Sequence, residues 1–329
     1  MLPNTLGVPC KADRLTVARS EVEMLSALRR HGSDLVLLGG CSNVILPRRL
    51  RRPVCLVATR GIDVRPDGDR ALVPASARES WHGLVRWTLG QGLFGLENLA
   101  LIPGSVGAAP IQNIGAYGVE LAERTESVRV FDRVRGEVGR LPPERCQFGY
   151  RTSMFKSEPE RYAVLDLTLR LDRRGRRVLD YPDVDRELRR LGWRNPNPRQ
   201  VAEAVIRVRR RKLPDPRTWG NVGSFFKNPV VGANEAERLA RSVPGLVRHA
   251  FGPDVKLAAA QLIDLCGWKG FHAGTVGVWH RQPLVLVNRG AATADDFLSL
   301  ARTLRESVLQ RFRVPLELEP TVVSDSGAV

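Results

Sequence analysis

Two glycine-rich stretches in the first half of the chain have the residue types that hold anions. Gly39-Gly40-Cys41-Ser42-Asn43 follows the apolar run Leu35–Leu38. Pro103-Gly104-Ser105-Val106-Gly107-Ala108-Ala109 leads on to Gln112, Asn113 and Gly115. Small residues let backbone N–H groups come close to a ligand, and successive N–H groups form a concave anion site. Two such loops suit a diphosphate, as in a flavin dinucleotide. A set of tight turns accounts for the same spacing equally well. A third stretch, Gly90-Gln91-Gly92-Leu93-Phe94-Gly95, matches GxGxxG but is a decoy. A dinucleotide fingerprint follows a strand and opens a helix. Here residues 81–89 read as an amphipathic helix, and Gly115, not an acid, stands about twenty residues on. The match is expected to be a helix end and turn.

The elements that must position these loops have recognisable periods. Strands are expected at 35–38, 54–57 and 71–73. A half-buried strand is expected at 162–171, where Leu165, Leu167, Leu169 and Leu171 alternate with Asp166, Thr168 and Arg170. Val22, Leu25 and Leu28 form one short apolar helix stripe. Val201, Val205 and Val208 form another, ended by Pro214 and Pro216. The clearest helix starts at a capping box, Thr293 and Asp296. Phe297, Leu300, Ala301, Leu304, Val308 and Phe312 then recur at helical spacing. Strands interspersed with helices imply an α+β protein. Leu213-Pro214-Asp215-Pro216 is the candidate boundary between residues 1–213, subdivided near 60, and residues 214–329.

Composition narrows the partners. The 329 residues are 43% hydrophobic and 26% charged, with a formal net charge of +16. Such a charge favours acidic partners: nucleic acid, anionic lipid or phosphorylated small molecules. The arginines are dispersed, however. The dense runs at 47–52 and 207–212 lack interleaved aromatics, so most read as solvated surface charge and a nucleic-acid face is disfavoured. No apolar run approaches the roughly 18 residues of a membrane span, and the first ten residues do not resemble a signal peptide. The five cysteines form no CxxC pair and no closed disulfide set, so free thiols in a reducing cytoplasm are expected. No metal site is expected.

Longer motifs carry a family resemblance. Residues 95–118, from Gly95-Leu96-Glu97-Asn98 to Ala116-Tyr117-Gly118, resemble the flavin-domain signature of the UDP-N-acetylenolpyruvoylglucosamine reductases. Asn4-Thr5-Leu6-Gly7 resembles that family's opening motif. Phe148-Gly149-Tyr150-Arg151-Thr152-Ser153 and Gly223-Ser224-Phe225-Phe226-Lys227-Asn228-Pro229 resemble its two catalytic signatures. Residues 256–264 and 284–288 are similar to its later segments. The match runs from about residue 4 to about residue 319, in order and correctly spaced.

The resemblance implies a vanillyl-alcohol-oxidase-type FAD-binding domain of two subdomains and a smaller α+β substrate domain. It implies non-covalent FAD, NADPH as reductant, and UDP-N-acetylglucosamine enolpyruvate as substrate. In the family, NADPH gives hydride to the flavin, which passes it to the enolpyruvyl β-carbon, and a proton reaches the α-carbon. Taken alone, Arg151 is a surface arginine and Gly223-Ser224 a turn. Within the motifs, Arg151 matches the cation that meets developing enolate charge, with Tyr150 beside it, and Ser224 matches the proton donor. Lys212, Asn228, Gln282 and Tyr181 match substrate contacts, Tyr181 in the loop of the longer-loop subgroup. The cofactor positions are Gly39, Gly40, Cys41, Ser42, Asn43, Gly104, Ser105, Gly107, Ala108, Gln112, Asn113 and Gly115. Another FAD-linked oxidoreductase of the same flavin fold is the rival. Such enzymes often tether flavin through His or Cys, and the nearest loop offers only Cys41.

The chain departs from the family in three places. Cys41 stands where Gly or Glu is usual, and cysteine adds strain if the position needs φ > 0. Leu6 replaces an aromatic, which should matter little. The family closes on a pattern like Val-x-Leu-Glu-Pro-Glu, whose last carboxylate assists reduction. This chain reads Val314-Pro315-Leu316-Glu317-Leu318-Glu319-Pro320-Thr321. Anchoring on Glu-Pro would put Thr321 in the catalytic slot. Anchoring on Phe312, Val314 and Leu316 puts Glu319 there without an insertion, and this register is expected. In an extended segment Leu316 and Leu318 face one side and the two glutamates the other, roughly 7 Å apart.

Overall fold

The computed structural model describes residues 1–174 and 178–328. The chain starts with β1 (Lys11–Ala18), α1 (Glu21–His31), β2 (Val36–Leu38), β3 (Val44–Ile45) and β4 (Arg49–Val57). β1 and β2 both pair in parallel with β4, giving a small sheet in the order β1-β4-β2. Helix α1 is capped by Ser20, and its inward face is Met24, Ala27 and Leu28. Val22, expected in that stripe, is 78% exposed: the buried face turns on 24, 27 and 28, which leaves 22 on the opposite side.

A second unit contains β5 (Arg65–Asp67), β6 (Arg70–Ser76), α2 (Trp81–Gly90), the two-residue strands β7 (Gly115–Ala116) and β8 (Val119–Glu120), and β9 (Thr125–Asp132). It continues through β10 (Glu137–Leu141), α3 (Met154–Ser157), β11 (Tyr162–Asp172), α4 (Pro182–Arg190) and α5 (Pro198–Lys212). Five strands form an antiparallel sheet in the order β10-β9-β11-β6-β5. Its core joins Leu167, Leu169 and Leu171 to Leu84 and Val85 of α2, Val184 and Leu188 of α4, and Val205 of α5. Each such side chain stabilises the fold by about 1.5–3 kcal/mol. The β11 alternation departs from expectation at Thr168, which is buried because Arg140 of β10 bridges it to Ser127. As expected, α2 ends at the GxGxxG match, which turns at Gly92 (φ 69°).

The remaining elements are β12 (Val230–Gly232), α6 (Ala233–Ser242), β13 (Arg248–Phe251), β14 (Asp254–Leu257), α7 (Ala259–Leu265), β15 (His272–Ala273), β16 (Val276–Val278), β17 (Leu286–Asn288), α8 (Ala294–Phe312) and β18 (Thr321–Ser324). Two three-stranded antiparallel sheets, β12-β14-β13 and β15-β16-β17, pack with the helices. The α8 capping box forms in both directions between Thr293 and Asp296. Phe297 of α8 stacks on Phe225 with centroids 6.2 Å apart, which anchors the segment around Ser224. Leu6, Val8 and Ile45 from the chain's beginning belong to this same core. β18 returns to pair in parallel with β3, Thr321 opposite Val44 and Val322 opposite Ile45. No helix among the described residues is long and apolar enough to cross a membrane.

Candidate active site

Two cavities meet at the glycine loops. The smaller, about 230 Å³, is lined by Gly39–Asn43, Gly104, Ser105, Ala108, Gln112 and Gly115 on one side and by Arg151, Ser224 and Glu319 on the other. The larger, about 460 Å³, runs between α1, β2 and β11 and is walled on another side by Leu318 and Pro320–Val323. Gly39, Ser105, Ala108, Lys156 and Thr321 border both, so the two form a continuous elongated space.

Close approach dictates glycine in the loops. A Cβ on Gly39 would lie 2.5 Å from Ser105 Oγ, and one on Gly104 would lie 2.8 Å from Ser42 Oγ. One on Gly107 would lie 2.7 Å from Ala77 Cβ. No backbone carbonyl among the described residues accepts from the N–H groups of Gly40, Cys41, Ser42 or Asn43, which leaves consecutive donors at the cavity wall. The second loop leaves fewer donors free. No backbone carbonyl among the described residues accepts from Gly104 or Ser105 N–H, whereas the Val106 and Gly107 N–H groups donate to Glu79 and Ala77 carbonyls, each at 2.9 Å, and Ala108 donates to Ser105 at 3.1 Å. In the larger cavity Arg133 Nε is buried without a partner. An elongated space with free N–H groups at its middle and an orphaned arginine donor fits FAD.

Asn113 and Cys41 differ from the other expected cofactor positions. Asn113 lines neither cavity. Its buried amide donates to Glu120 Oε2 at 2.8 Å and Gly149 O at 3.2 Å, and its oxygen accepts from Ala122 N–H at 2.9 Å. It clasps the turn that carries Arg151. Cys41 sits at φ 48°, so the strain foreseen for that substitution is present. Burial pushes its thiol up to about 11.

Arg151 is at the tip of a tight turn closed by reciprocal Gly149 and Thr152 backbone bonds at 3.1 and 3.3 Å. Its own φ is 54°, a left-handed conformation that costs an L-residue roughly 1–2 kcal/mol and is found where a side chain must be aimed. Nη2 donates to Gly115 O at 2.7 Å, and Nε meets Glu319 Oε1 at 3.1 Å. The Glu319 side chain is 13% exposed. Burial raises its carboxyl above the ordinary value, opposed by Arg151, Lys156 and Lys227. Glu317 is 73% exposed and pairs with Lys227 at 2.8 Å. Leu316 and Leu318 pack on the C-terminal core, so the alternation expected of an extended segment is present.

Ser224 is held by main-chain bonding. It bridges to Val285, and the neighbouring Phe225 donates to Leu284 O at 2.7 Å and accepts from Glu319 N–H at 3.1 Å. No hydrogen bond engages the Ser224 hydroxyl among the described residues, and it lines the cavity. Tyr150 packs under Lys256, whose ammonium is 4.5 Å from the ring centroid, and is hydrogen-bonded by Asn228; burial raises its phenol pKa. Asn228 also accepts from Ala259 N–H at 3.0 Å. None of the five predicted substrate residues, Tyr150 and Asn228 included, lines either cavity. Lys212 pairs with Asp183. Tyr181, 39% exposed, meets Tyr117 edge-on at 5.1 Å. Gln282 accepts from Leu284 N–H at 3.4 Å in a turn.

Sequence reasoning missed Arg209 and Lys156, which both line the smaller cavity. Arg209 donates to Leu101 O at 3.2 Å and bonds Tyr117, and burial lowers its guanidinium pKa. It lies one helical turn beyond buried Val205, a signal that the surrounding basic run concealed.

Comparison with known proteins gives consistent matches. Residues 17–141 match the FAD binding domain family, and residues 215–323 match the UDP-N-acetylenolpyruvoylglucosamine reductase C-terminal domain family. The UDP-N-acetylenolpyruvoylglucosamine reductase of Pseudomonas aeruginosa is 47% identical over 97% of this chain and 96% of its own. That of Cupriavidus pinatubonensis is 48% identical over 97% and 96%. The crystal structure of UDP-N-acetylenolpyruvylglucosamine reductase from Thermus caldophilus superposes with a TM-score of 0.68 at 26% identity, over 97% of this chain and 95% of that one.

Proposed function

Because the chain belongs to the UDP-N-acetylenolpyruvoylglucosamine reductases, FAD-dependent oxidoreductases of peptidoglycan synthesis, we propose that it reduces UDP-N-acetylglucosamine enolpyruvate to UDP-N-acetylmuramate at the expense of NADPH. Bound FAD supplies the hydride relay between the two substrates. The chain's own groups do the rest. Arg151 faces the charge that grows on the enolate and carboxylate as hydride arrives at the β-carbon. Ser224 holds the proton for the α-carbon. Glu319 orients Arg151 and shares its field. The Gly40–Asn43 donors hold the cofactor diphosphate. Tyr150, Asn228, Lys212, Tyr181 and Gln282 receive the nucleotide-sugar part outside the smaller cavity. The same scheme divides the chain into a cofactor part, 1–213, and a substrate part, 214–329.

The observation that carries this is convergence. Arg151, Ser224 and Glu319, from three separate segments, line the cavity that the glycine loop also lines. The test is direct. The purified protein should be yellow with flavin released by acid, bleach anaerobically with NADPH, and regain colour on addition of the enolpyruvyl substrate. Flavin that remains on the denatured polypeptide would instead favour the tethered-flavin oxidase alternative. Failure to regain colour would exclude the reductase activity.

A further inference from the structure

Lys156 is a cation whose position the scheme above does not explain. It lies on α3 and borders both cavities. Its Nζ donates to the main-chain oxygen of Glu319 at 3.2 Å. Asn43 Nδ2 reaches the same oxygen at 3.4 Å and is itself held on Gln112 Oε1 at 2.9 Å. One residue past Pro320, Thr321 N–H donates to Asn43 O at 3.0 Å. The backbone of Glu319 is thus gripped from the flavin loop and from α3, while its carboxylate meets Arg151.

The charged and titratable groups around Glu319 come from each element packed on it. They are Arg151 and Tyr150 from the 149–152 turn, Lys156 from α3, Lys227 from the segment after Ser224, and Glu317 on its own extended segment. Lys256 faces Arg151 from β14. Lys227 is neutralised by Glu317 at 2.8 Å. Lys156 makes no ion pair among the described residues, although burial disfavours its charge. A buried ammonium without its own carboxylate is costly, and here the nearby carboxylate is Glu319.

We propose that Lys156 is a positioning residue for the reduction step, fixing the backbone of Glu319 in register with Arg151 and presenting a second cation to its carboxylate. This builds on the role given above to Glu319. A nearby cation favours the ionised carboxylate. Removing the charge should therefore move the ionisation of Glu319 to higher pH, whichever of its forms the reaction uses. Keeping a neutral donor in its place should preserve part of the main-chain grip without preventing that displacement.

The test compares wild type, Lys156→Arg, Lys156→Gln and Lys156→Met as FAD-loaded holoenzymes. Anaerobic stopped-flow follows flavin reduction by NADPH and, separately, reoxidation by the enolpyruvyl substrate across pH. In the Gln and Met variants the pH midpoint of reoxidation should rise by about one unit, while Arg keeps the wild-type midpoint. Gln should retain more of the plateau rate than Met because it keeps a donor, and flavin reduction should change little in all three. An unmoved midpoint in Gln and Met overturns the proposal, as does an equal loss in both half-reactions, which would make Lys156 a fold or cofactor residue. If Met loses its flavin, the Gln and Arg pair decides alone. Failure of the underlying function is distinguishable, because the reduced wild-type enzyme would then not be reoxidised by this substrate.

Discussion

Arg151, in the turn before α3, and Glu319, in the segment after α8, meet at 3.1 Å, and the arginine does so from a left-handed backbone at φ 54°. A residue held in that conformation by reciprocal turn bonds has little freedom to swing away. The turn thereby holds the arginine against the carboxylate, the preorganisation that the electrostatic role proposed for Arg151 requires.

The two C-terminal glutamates should behave unequally. Glu319→Gln should slow flavin reoxidation by substrate by about 10²–10⁴, the range for a positioned acid–base group. Glu317→Gln removes only an exposed ion pair worth about 1 kcal/mol at most, so turnover should stay within about a factor of five. Single-turnover traces of both variants check the ranking. Its reversal would show that the catalytic carboxylate is the other one.

Ser224→Ala should divide the half-reactions. Flavin reduction by NADPH needs no protonation at carbon and should persist, whereas reoxidation by substrate should fall by about 10²–10⁴. Equal losses in the two steps would make Ser224 a structural residue of the bridged segment that the Phe225–Leu284 bond holds.

Acid should loosen the second glycine loop. His82 Nδ1 accepts from Leu101 N–H at 3.0 Å, and Leu101 has φ 60°. Burial, then Arg86, Arg210 and Arg209, lower the His82 pKa below 6.5. As pH falls, the unfolded chain takes up the proton first. Stability from this contact is complete above about pH 6.5 and is lost as pH falls through the lower folded value. Urea midpoints on either side of that pH should show the decline. In His82→Asn, whose amide oxygen takes the place of Nδ1, the dependence should flatten.

Strain at Cys41 can be isolated by two substitutions. Alanine and glycine both remove the sulfur, but only glycine relieves a Cβ at φ 48°. Cys41→Gly should exceed Cys41→Ala in unfolding free energy by about 1 kcal/mol. Equal denaturation curves would mean that the loop relaxes around the side chain at no cost.

The elements most legible in the sequence are those that bury a continuous face. The α8 residues Phe297 to Phe312 and the β11 leucines repeat with the period their packing demands. Val22 misled because a short stripe has too few turns to fix its angle, and Met24 and Ala27 set the buried face instead. Thr168 misled because a polar residue reads as exposed, whereas Arg140 reaches across β9 to bond it. In the site, residues inside long motifs could be named, but their partners could not. Asn113 stands in a motif that resembles a flavin signature, but nothing in the sequence shows that its amide clasps Gly149 in the turn that carries Arg151. Lys156 and Arg209 resemble solvated charges, since nothing in a basic sequence shows which cation is turned inward.

The pairing of β18 with β3 has a consequence for how the protein is made. Residues 318 and 320–323 wall the larger cavity beside segments from the first half of the chain. On the ribosome the glycine loops emerge long before this wall exists. Cofactor that meets the nascent polypeptide finds an open trough, and capture becomes secure only after the last of these residues is released. The larger cavity is therefore complete only once the chain has been made through Val323, and flavin that arrives earlier meets an unfinished site.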